Sequence, residues 1–284
     1  MKTKMKIEKN SVQETLVLPL FGKAWCMKQY PDLFHDEDCI RIMDSVDYDF
    51  SAMEAQADRL AGKIGSLSAA LRQYSIVQEI KAYLKDHPDA AVVNLGCGLD
   101  CAGHQADTGT CTFYNIDYED CIEIRRQLIP ETDREICIAC DINDYSWFDQ
   151  IDFAPEKGAV FFAAGVFMYF RKEDVKKLFG ALAEHFPGGR ITFDGENRKG
   201  ISMDKKILET AGVDIDTIFS LEDPVSELSS WSSRFASVSR KGLMTGYMKP
   251  DRRFGFLFKV MAKYSDRHGM SQLDTIDFKS AEQT

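Results

Sequence analysis

The stretch AVVNLGCGLD, residues 91–100, decides the fold prediction. A short apolar run, AVVNL, ends abruptly at two glycines one residue apart, Gly96 and Gly98. A run this short, bounded by glycine, is typical of a buried strand. Glycine adopts positive φ without strain and lets the backbone approach a ligand closely. The stretch therefore predicts a strand that ends in a turn beside a ligand.

Strands and helices alternate after this stretch. Further strands are predicted at residues 111–117, 135–141, 159–166 and 190–195, with amphipathic helices after 117 and 170. Such alternation favours right-handed βαβ crossovers and a parallel sheet covered by helices on both faces. Residues 12–88 have a helical pattern that Pro88 is expected to stop, and residues 273–279 alternate as an antiparallel edge strand would. The predicted fold is α/β and doubly wound, with its ligand at the carboxyl ends of the strands.

The composition excludes several classes of function. The 284 residues are 44% hydrophobic and carry a net charge of -10, which disfavours a nucleic-acid partner. The longest apolar run, residues 159–170, is too short to cross a bilayer, and the N-terminus does not resemble a signal peptide. We therefore expect a cytoplasmic protein without a membrane partner.

The eight cysteines are expected to be free thiols, because no secretory signal is recognised. Cys137 and Cys140 form a lone CxxC, whereas a structural zinc site would need a second pair at suitable spacing. The five histidines show no ligand spacing and are expected to be isolated surface or packing residues. No metal site is predicted.

Carboxylates follow the glycine turn at two further strand ends. Asp117 ends the next predicted strand, where a carboxylate can accept hydrogen bonds from both ribose hydroxyls. Asp141 ends the third and could reach an adenine amino group. Each feature alone is commonly structural, but their shared register indicates an adenosine-containing ligand.

Two such ligands fit the pattern, S-adenosylmethionine and NAD. The dinucleotide fingerprint requires a third glycine, and Cys101 stands at that position. In addition, 90 residues precede the strand, whereas the dinucleotide pattern normally opens its domain. S-adenosylmethionine carries no phosphate and tolerates a looser turn. The methyl donor is favoured, and an NAD-dependent oxidoreductase is the alternative.

The chain resembles the leucine carboxyl methyltransferase superfamily, in particular its bacterial branch related to the tetracenomycin polyketide O-methyltransferase. The resemblance is carried by ETLVLPLFGKA (14–24), YPDLFHDEDCIRIMDSVDYDF (30–50), LRQYSIVQEIKAYLKDHPDAAVVNLGCGLD (71–100), YNIDYEDCIEIRRQLIP (114–130) and AAGVFMYF (163–170). It implies a class I methyltransferase fold with a mostly parallel seven-stranded sheet. One domain, residues 1–284, would comprise a helical cap (12–88) and a Rossmann-like core (89–284), with an acceptor-pocket insertion around 196–250.

The resemblance also implies the activity and the site. S-adenosylmethionine would methylate a carboxylate or hydroxyl of a small molecule and leave as S-adenosylhomocysteine. Arg72 matches a clamp for the methionine carboxylate of the donor, and Tyr169 would position the acceptor. The residues matched to the donor site are Lys23, Arg72, Gly96, Cys97, Gly98, Asp100, Asp117, Tyr118, Asp141, Ile142, Ala164 and Gly165.

Two departures from the family pattern raise an alternative. Asp100 is followed by Cys101-Ala102-Gly103 where relatives have Thr-Arg. Ala164 replaces a carboxylate that would face the ammonium group of the donor, so donor binding should weaken unless a backbone carbonyl or another acid, such as Asp100, substitutes. The alternative is a degenerate methyltransferase fold that binds a ligand without turnover.

Overall fold

The computed structural model describes residues 4–7, 12–210 and 219–283. The described strands are β1 (Met5–Lys6), β2 (Val46–Asp47), β3 (Ala91–Leu95), β4 (Thr112–Asp117), β5 (Glu135–Ala139), β6 (Ala159–Ala163), β7 (Arg190–Gly195), β8 (Phe235–Gly242) and β9 (Gln272–Phe278). The described helices are α1 (Val12–Gln29), α2 (Glu37–Ser45), α3 (Ser51–Ala57), α4 (Leu60–Leu84), α5 (Glu119–Leu128), α6 (Lys172–His185), α7 (Arg198–Thr210), α8 (Pro224–Ser229) and α9 (Phe256–Arg267).

Seven strands form one sheet in the order β5-β4-β3-β6-β7-β9-β8. The five from β5 to β7 are parallel, and β9 pairs antiparallel with both β7 and β8. The doubly wound, mostly parallel sheet is thus confirmed. The prediction that residues 273–279 form an edge strand is wrong, because β9 lies inside the sheet. Six of its seven residues are buried, whereas β8, the true edge strand, is mostly solvent-exposed.

The direction of winding reverses beside β3. The chain proceeds from β3 to β4 and β5 on one side of the sheet and then returns to β6 on the other side of β3. Ligands of open α/β sheets bind outside the carboxyl ends of the strands at such a switch point. The glycine turn at residues 96–98 follows β3 at this point.

Helices cover both faces of the sheet with the stripes expected from sequence. On one face, α4 presents Ile76, Val77 and Ile80, which are all buried against the strands. On the other face, α6 buries a stripe that includes Leu178 and Phe179. The helix α4 ends at Leu84, shortly before the proline that was expected to stop it.

The helices α1 to α4 build a layer whose core also holds part of α9. The helices α1 and α4 approach closely, since a Cβ at Gly22 would lie 3.1 Å from the Ser66 Cα. Tyr30, Leu71 and Phe258 belong to the buried cluster that joins these elements. Residues 12–88 are mostly helical as expected, with the two-residue strand β2 as an interruption.

Two further observations concern the cysteines and the length of the apolar helices. All eight cysteines are free and seven of them are buried, as expected for reduced thiols. Within the described ranges, we find no helix with both the length and the apolar character needed to traverse a membrane.

Candidate functional site

The turn after β3 adopts a conformation that only glycine takes readily. Gly96 has φ 63° and Gly98 has φ 46°, both in the left-handed region. A Cβ at Gly96 would also lie 2.8 Å from both methyl groups of Val166. Backbone conformation and packing therefore both require glycine here.

Asp117, the last residue of β4, joins this turn. Its Oδ2 accepts a hydrogen bond of 2.7 Å from the Gly98 N–H, and its Oδ1 accepts one of 2.8 Å from the Tyr118 N–H. Burial raises the pKa of Asp117, and the two N–H groups offset part of that rise. The predicted glycine turn and carboxylate are thus in direct contact.

Tyr118 and Asp141 extend the same group of residues. The Tyr118 ring is 53% exposed although it is large and apolar. Burial of its hydroxyl, together with the Asp141 carboxylate, raises the pKa of Tyr118. The ends of the three neighbouring strands β3, β4 and β5 therefore converge, as predicted.

Two predicted contact residues point away from this surface. Cys97 is 2% exposed and packs with Ile122 and Cys137, and burial raises the pKa of its thiol. Ile142 is buried, and its carbonyl accepts a hydrogen bond of 3.1 Å from the Trp147 indole. The side chains of Cys97 and Ile142 thus belong to the core.

Lys23 connects the helical layer to the turn. Its Nζ lies 3.4 Å from Asp36 Oδ2 and 3.6 Å from Asp100 Oδ2, and the residue is only 5% exposed. Burial lowers the pKa of Lys23, but the Asp100 and Asp36 carboxylates outweigh it, so the net pKa is raised. Lys23 is therefore a buried, charged ammonium, and the sequence did not predict its partner Asp36.

Arg72 pairs with a carboxylate that the sequence analysis missed. Its Nη1 lies 3.0 Å from Asp194 Oδ2, while Asp194 Oδ1 accepts a hydrogen bond of 2.6 Å from the Gly165 N–H. Burial lowers the pKa of Arg72, and Asp194 with the more distant Asp100 more than offsets this. Asp194 thus sits between two predicted donor-site residues.

Asp194 also changes the interpretation of Ala164, whose side chain packs against the core. Asp100 was named as one acid that could substitute for the missing carboxylate, but its Oδ1 accepts from the Ala102 N–H at 2.5 Å and its Oδ2 faces Lys23. Asp194 is the carboxylate next to Gly165. The signal was present in the sequence, because Asp194 is the last residue but one of a predicted strand, close to the strand end as Asp117 is.

Tyr169 lies at the rim of this cluster. It is 44% exposed, and its hydroxyl interacts with both Arg72 and Asp194. Burial raises the pKa of Tyr169, Arg72 lowers it and Asp194 raises it, with a net rise. The phenol is therefore neutral at physiological pH and can donate a hydrogen bond.

Arg125 supports the turn from behind. It is 1% exposed and donates to the carbonyls of Gly98, at 3.1 Å, and Asp100, at 2.8 Å. Its other terminal nitrogen donates to Glu135 Oε1 at 3.0 Å. The altered segment 101–103 therefore adjoins a turn that is held by buried hydrogen bonds.

His104 belongs to the same network, so the expectation that each histidine is isolated is wrong for it. Its Nδ1 lies 2.7 Å from Asp38 Oδ2 and its Nε2 lies 2.8 Å from Glu135 Oε2. Burial lowers the pKa of His104, but hydrogen bonds to Asp38, Cys101 and Glu135 raise it to about 12. Ligand atoms of Asp38, Cys101 and His104 lie within 4.8 Å of one another. Because carboxylates engage both imidazole nitrogens, we interpret this group as ion pairs.

An amphipathic cavity of about 200 Å³ lies between α1 and α4. Its apolar wall includes Met27, Phe34 and Val77, and its polar wall includes Lys23 and Lys81. Tyr30 and Met244 do not line this cavity and are buried in the core.

The strand order and the convergence of glycine turn and carboxylates define a class I methyltransferase fold. The chain belongs to the leucine carboxyl methyltransferase family, whose model matches residues 19–183. It is 29% identical over 189 residues to the tetracenomycin polyketide synthesis O-methyltransferase TcmP of Streptomyces glaucescens. The matched region covers 66% of this chain and 67% of that protein.

Two crystal structures support the fold. A DUF574 family protein of Streptomyces avermitilis superposes with a TM-score of 0.58 at 8% identity, covering 83% of this chain and 92% of that one. A Thermobifida fusca protein with a provisional methyltransferase assignment gives a TM-score of 0.57 at 13% identity, covering 81% and 93%. At these identities the likeness concerns the fold alone.

Proposed function

We propose that this protein is an S-adenosylmethionine-dependent O-methyltransferase that acts on a small molecule, with a carboxylate as the preferred acceptor group over a hydroxyl. The observation that carries the proposal is the contact between Gly98 and Asp117 at neighbouring strand ends, in a member of this family. The relative TcmP is named as an O-methyltransferase, which agrees with oxygen as the acceptor atom.

The charges of the site suit the two ends of the donor. Asp117 would hold the ribose hydroxyls, and Tyr118 with Asp141 would border the adenine. The methionine end is a zwitterion, so its binding calls for both a cation and an anion. We assign its carboxylate to Arg72 and its ammonium group to Asp194, which lie side by side.

The chemistry favours a carboxylate acceptor. When bound, S-adenosylmethionine supplies an activated methyl group, so the protein has to align the acceptor oxygen and exclude water. A carboxylate is ionised at neutral pH and needs no general base. The raised pKa of Tyr169 makes it a poor base but a suitable hydrogen-bond donor to such an acceptor. We assign the acceptor pocket to the cap (12–88) and the segment 196–250.

Calorimetric titration with S-adenosylhomocysteine tests the donor site. We expect Asp117→Asn to weaken binding about tenfold to a hundredfold, since hydrogen bonds to a charged group contribute about 1.5–3 kcal/mol. Asp120→Asn is the matched control, because Asp120 is an exposed neighbour on α5. Absence of binding by the folded wild-type protein would refute the proposal.

The second candidate function is ligand binding without turnover. It is favoured by Ala164 and by the packing of Val166 against Gly96. Measured donor binding without methyl transfer to a broad panel of carboxylic acids would support it. The family assignment gives no support to an NAD-dependent oxidoreductase, and thermal stabilisation by NAD but not by the methyl donor would be needed to revive that alternative.

A further inference from the structure

The outer face of α9 carries an apolar ridge. Phe256 is 83% exposed, Leu257 52%, Val260 48% and Tyr264 53%. At about 100° per residue, these four side chains occupy an arc of about 100° on the helix. The inner face is separate, because Phe258 and Ala262 are buried against the cap. Contiguous apolar exposure of this kind marks an interaction surface.

A row of basic residues runs beside the ridge. Lys259, Lys263 and Arg267 are spaced four residues apart on α9, so the two lysines lie along one flank of the ridge and Arg267 continues the row into the arc of the ridge at the end of the helix. In the described part of the chain, no carboxylate lies within 4.0 Å of these three cationic groups, which sit in a chain of net charge -10.

The nearby acids are engaged elsewhere. Asp266 accepts hydrogen bonds from the backbone of Met244 and from Thr245, and Asp251 pairs with Arg253. Neither carboxylate forms an ion pair with the basic stripe, so its three cationic groups remain available to an anionic partner.

We propose that the outer face of α9 docks on an anionic lipid surface. An interfacial helix buries its apolar face at the boundary of the acyl chains while its lysines contact the anionic headgroups. A helix of 12 residues is about 18 Å long, and a planar surface accepts a straight ridge and a parallel basic row together. A second copy packed with α9 antiparallel is disfavoured, because a two-fold axis perpendicular to the helix would bring like-charged stripes side by side.

Co-sedimentation of the full-length protein with vesicles tests this proposal. We expect binding to phosphatidylcholine vesicles containing phosphatidylglycerol, little binding to phosphatidylcholine alone, and weaker binding at high salt. Lys259→Glu with Lys263→Glu should reduce vesicle affinity at least about tenfold, since each basic group near such a surface contributes about 1 kcal/mol. Phe256→Ser with Val260→Ser should reduce it to a similar extent.

The matched control is Lys176→Glu with Lys177→Glu on α6, which makes the same change in net charge at an exposed site elsewhere. Equal losses in both charge variants would overturn the proposal, as would equal binding to both kinds of vesicle. Absence of vesicle binding would also overturn it. Light scattering then separates the other occupants, because a dimer dissociated by Phe256→Ser assigns the ridge to a second copy.

Discussion

Asp194 makes contacts that connect two elements of the candidate site. It accepts a hydrogen bond from Gly165 and pairs with Arg72, so its position is fixed on two sides. A carboxylate held in this way is preorganised for a cationic group of a ligand, since little side-chain entropy is lost on binding. The family pattern suggested a carboxylate at position 164. Asp194 was therefore recognised as a candidate only from its contacts in the folded chain.

Replacement of Asp194 tests this role directly. We expect Asp194→Asn to weaken S-adenosylhomocysteine binding about tenfold, because the amide retains the hydrogen bond to Gly165 but loses the charge. The control is Asp277→Asn, which neutralises the partner of Arg190 in an ion pair of 2.7 Å. Calorimetry would contradict the assignment if both variants bound as tightly as the wild type.

The residues of the candidate site that could be predicted from sequence are those at or just after the end of a predicted strand. Gly98 and Asp117 each follow or end a predicted strand, and parallel strands place such residues at one edge. Arg125, Glu135 and His104 come from three different elements and meet only in the folded chain. No local sequence pattern predicts contacts between residues of such separate elements.

At the scale of the elements, the buried network joins the cap to the core. Asp38 on α2 reaches His104, which reaches Glu135 on β5, which in turn holds Arg125 of α5. Because Arg125 also donates to the Gly98 carbonyl, the network extends to the glycine turn. A buried carboxylate that pairs with the buried Arg125 and the half-buried His104 is costly to remove.

Glu135→Gln should therefore destabilise the protein by about 3–5 kcal/mol, because it leaves the buried Arg125 without a counter-charge. Urea unfolding measures this change. Glu131→Gln is the control, since it weakens the exposed ion pair with Arg126 and should cost about 1 kcal/mol or less. Similar costs in the two variants would show that Glu135 is not critical.

Sequence patterns also misjudged one element. Alternation in residues 273–279 predicted an edge strand, but alternation is also compatible with an interior antiparallel strand when both faces are covered.

At the scale of the whole molecule, the half-buried His104 and the buried Asp274 should make stability fall as pH rises. The raised pKa of His104, about 12, contributes stability that is full below its unfolded pKa near 6.5 and is lost progressively above it. Burial raises the pKa of Asp274 to about 8, so its ionisation opposes folding. That penalty develops between the unfolded Asp pKa, about 4, and pH 8.

We expect unfolding free energy to decrease from pH 6 to pH 9, with each group contributing up to about 1.4 kcal/mol per pH unit within its window. Urea midpoints across this range measure it. His104→Gln should flatten the profile between pH 7 and 9, and Asp274→Asn should flatten it between pH 5 and 8. A wild-type midpoint that rises with pH would contradict both assignments.

The fold as a whole could be predicted from sequence because several independent patterns indicated the same topology. Five strand candidates, two amphipathic helices and a proline stop all agreed on a doubly wound sheet, and local errors at one edge did not change the topology. The ion-pair partners of the charged site residues were harder to predict, since they are set by tertiary packing.

The buried thiols have a practical consequence. Cys26 lies in α1, Cys39 in α2, Cys97 in the glycine turn and Cys137 in β5, and all are buried. A thiol reacts with maleimide only when its surroundings open, so the order in which these positions acquire label reads out local unfolding region by region. The native cysteines can thus serve as reporters of local unfolding. A ligand bound at the turn is expected to slow the labelling of Cys97 more than that of Cys39.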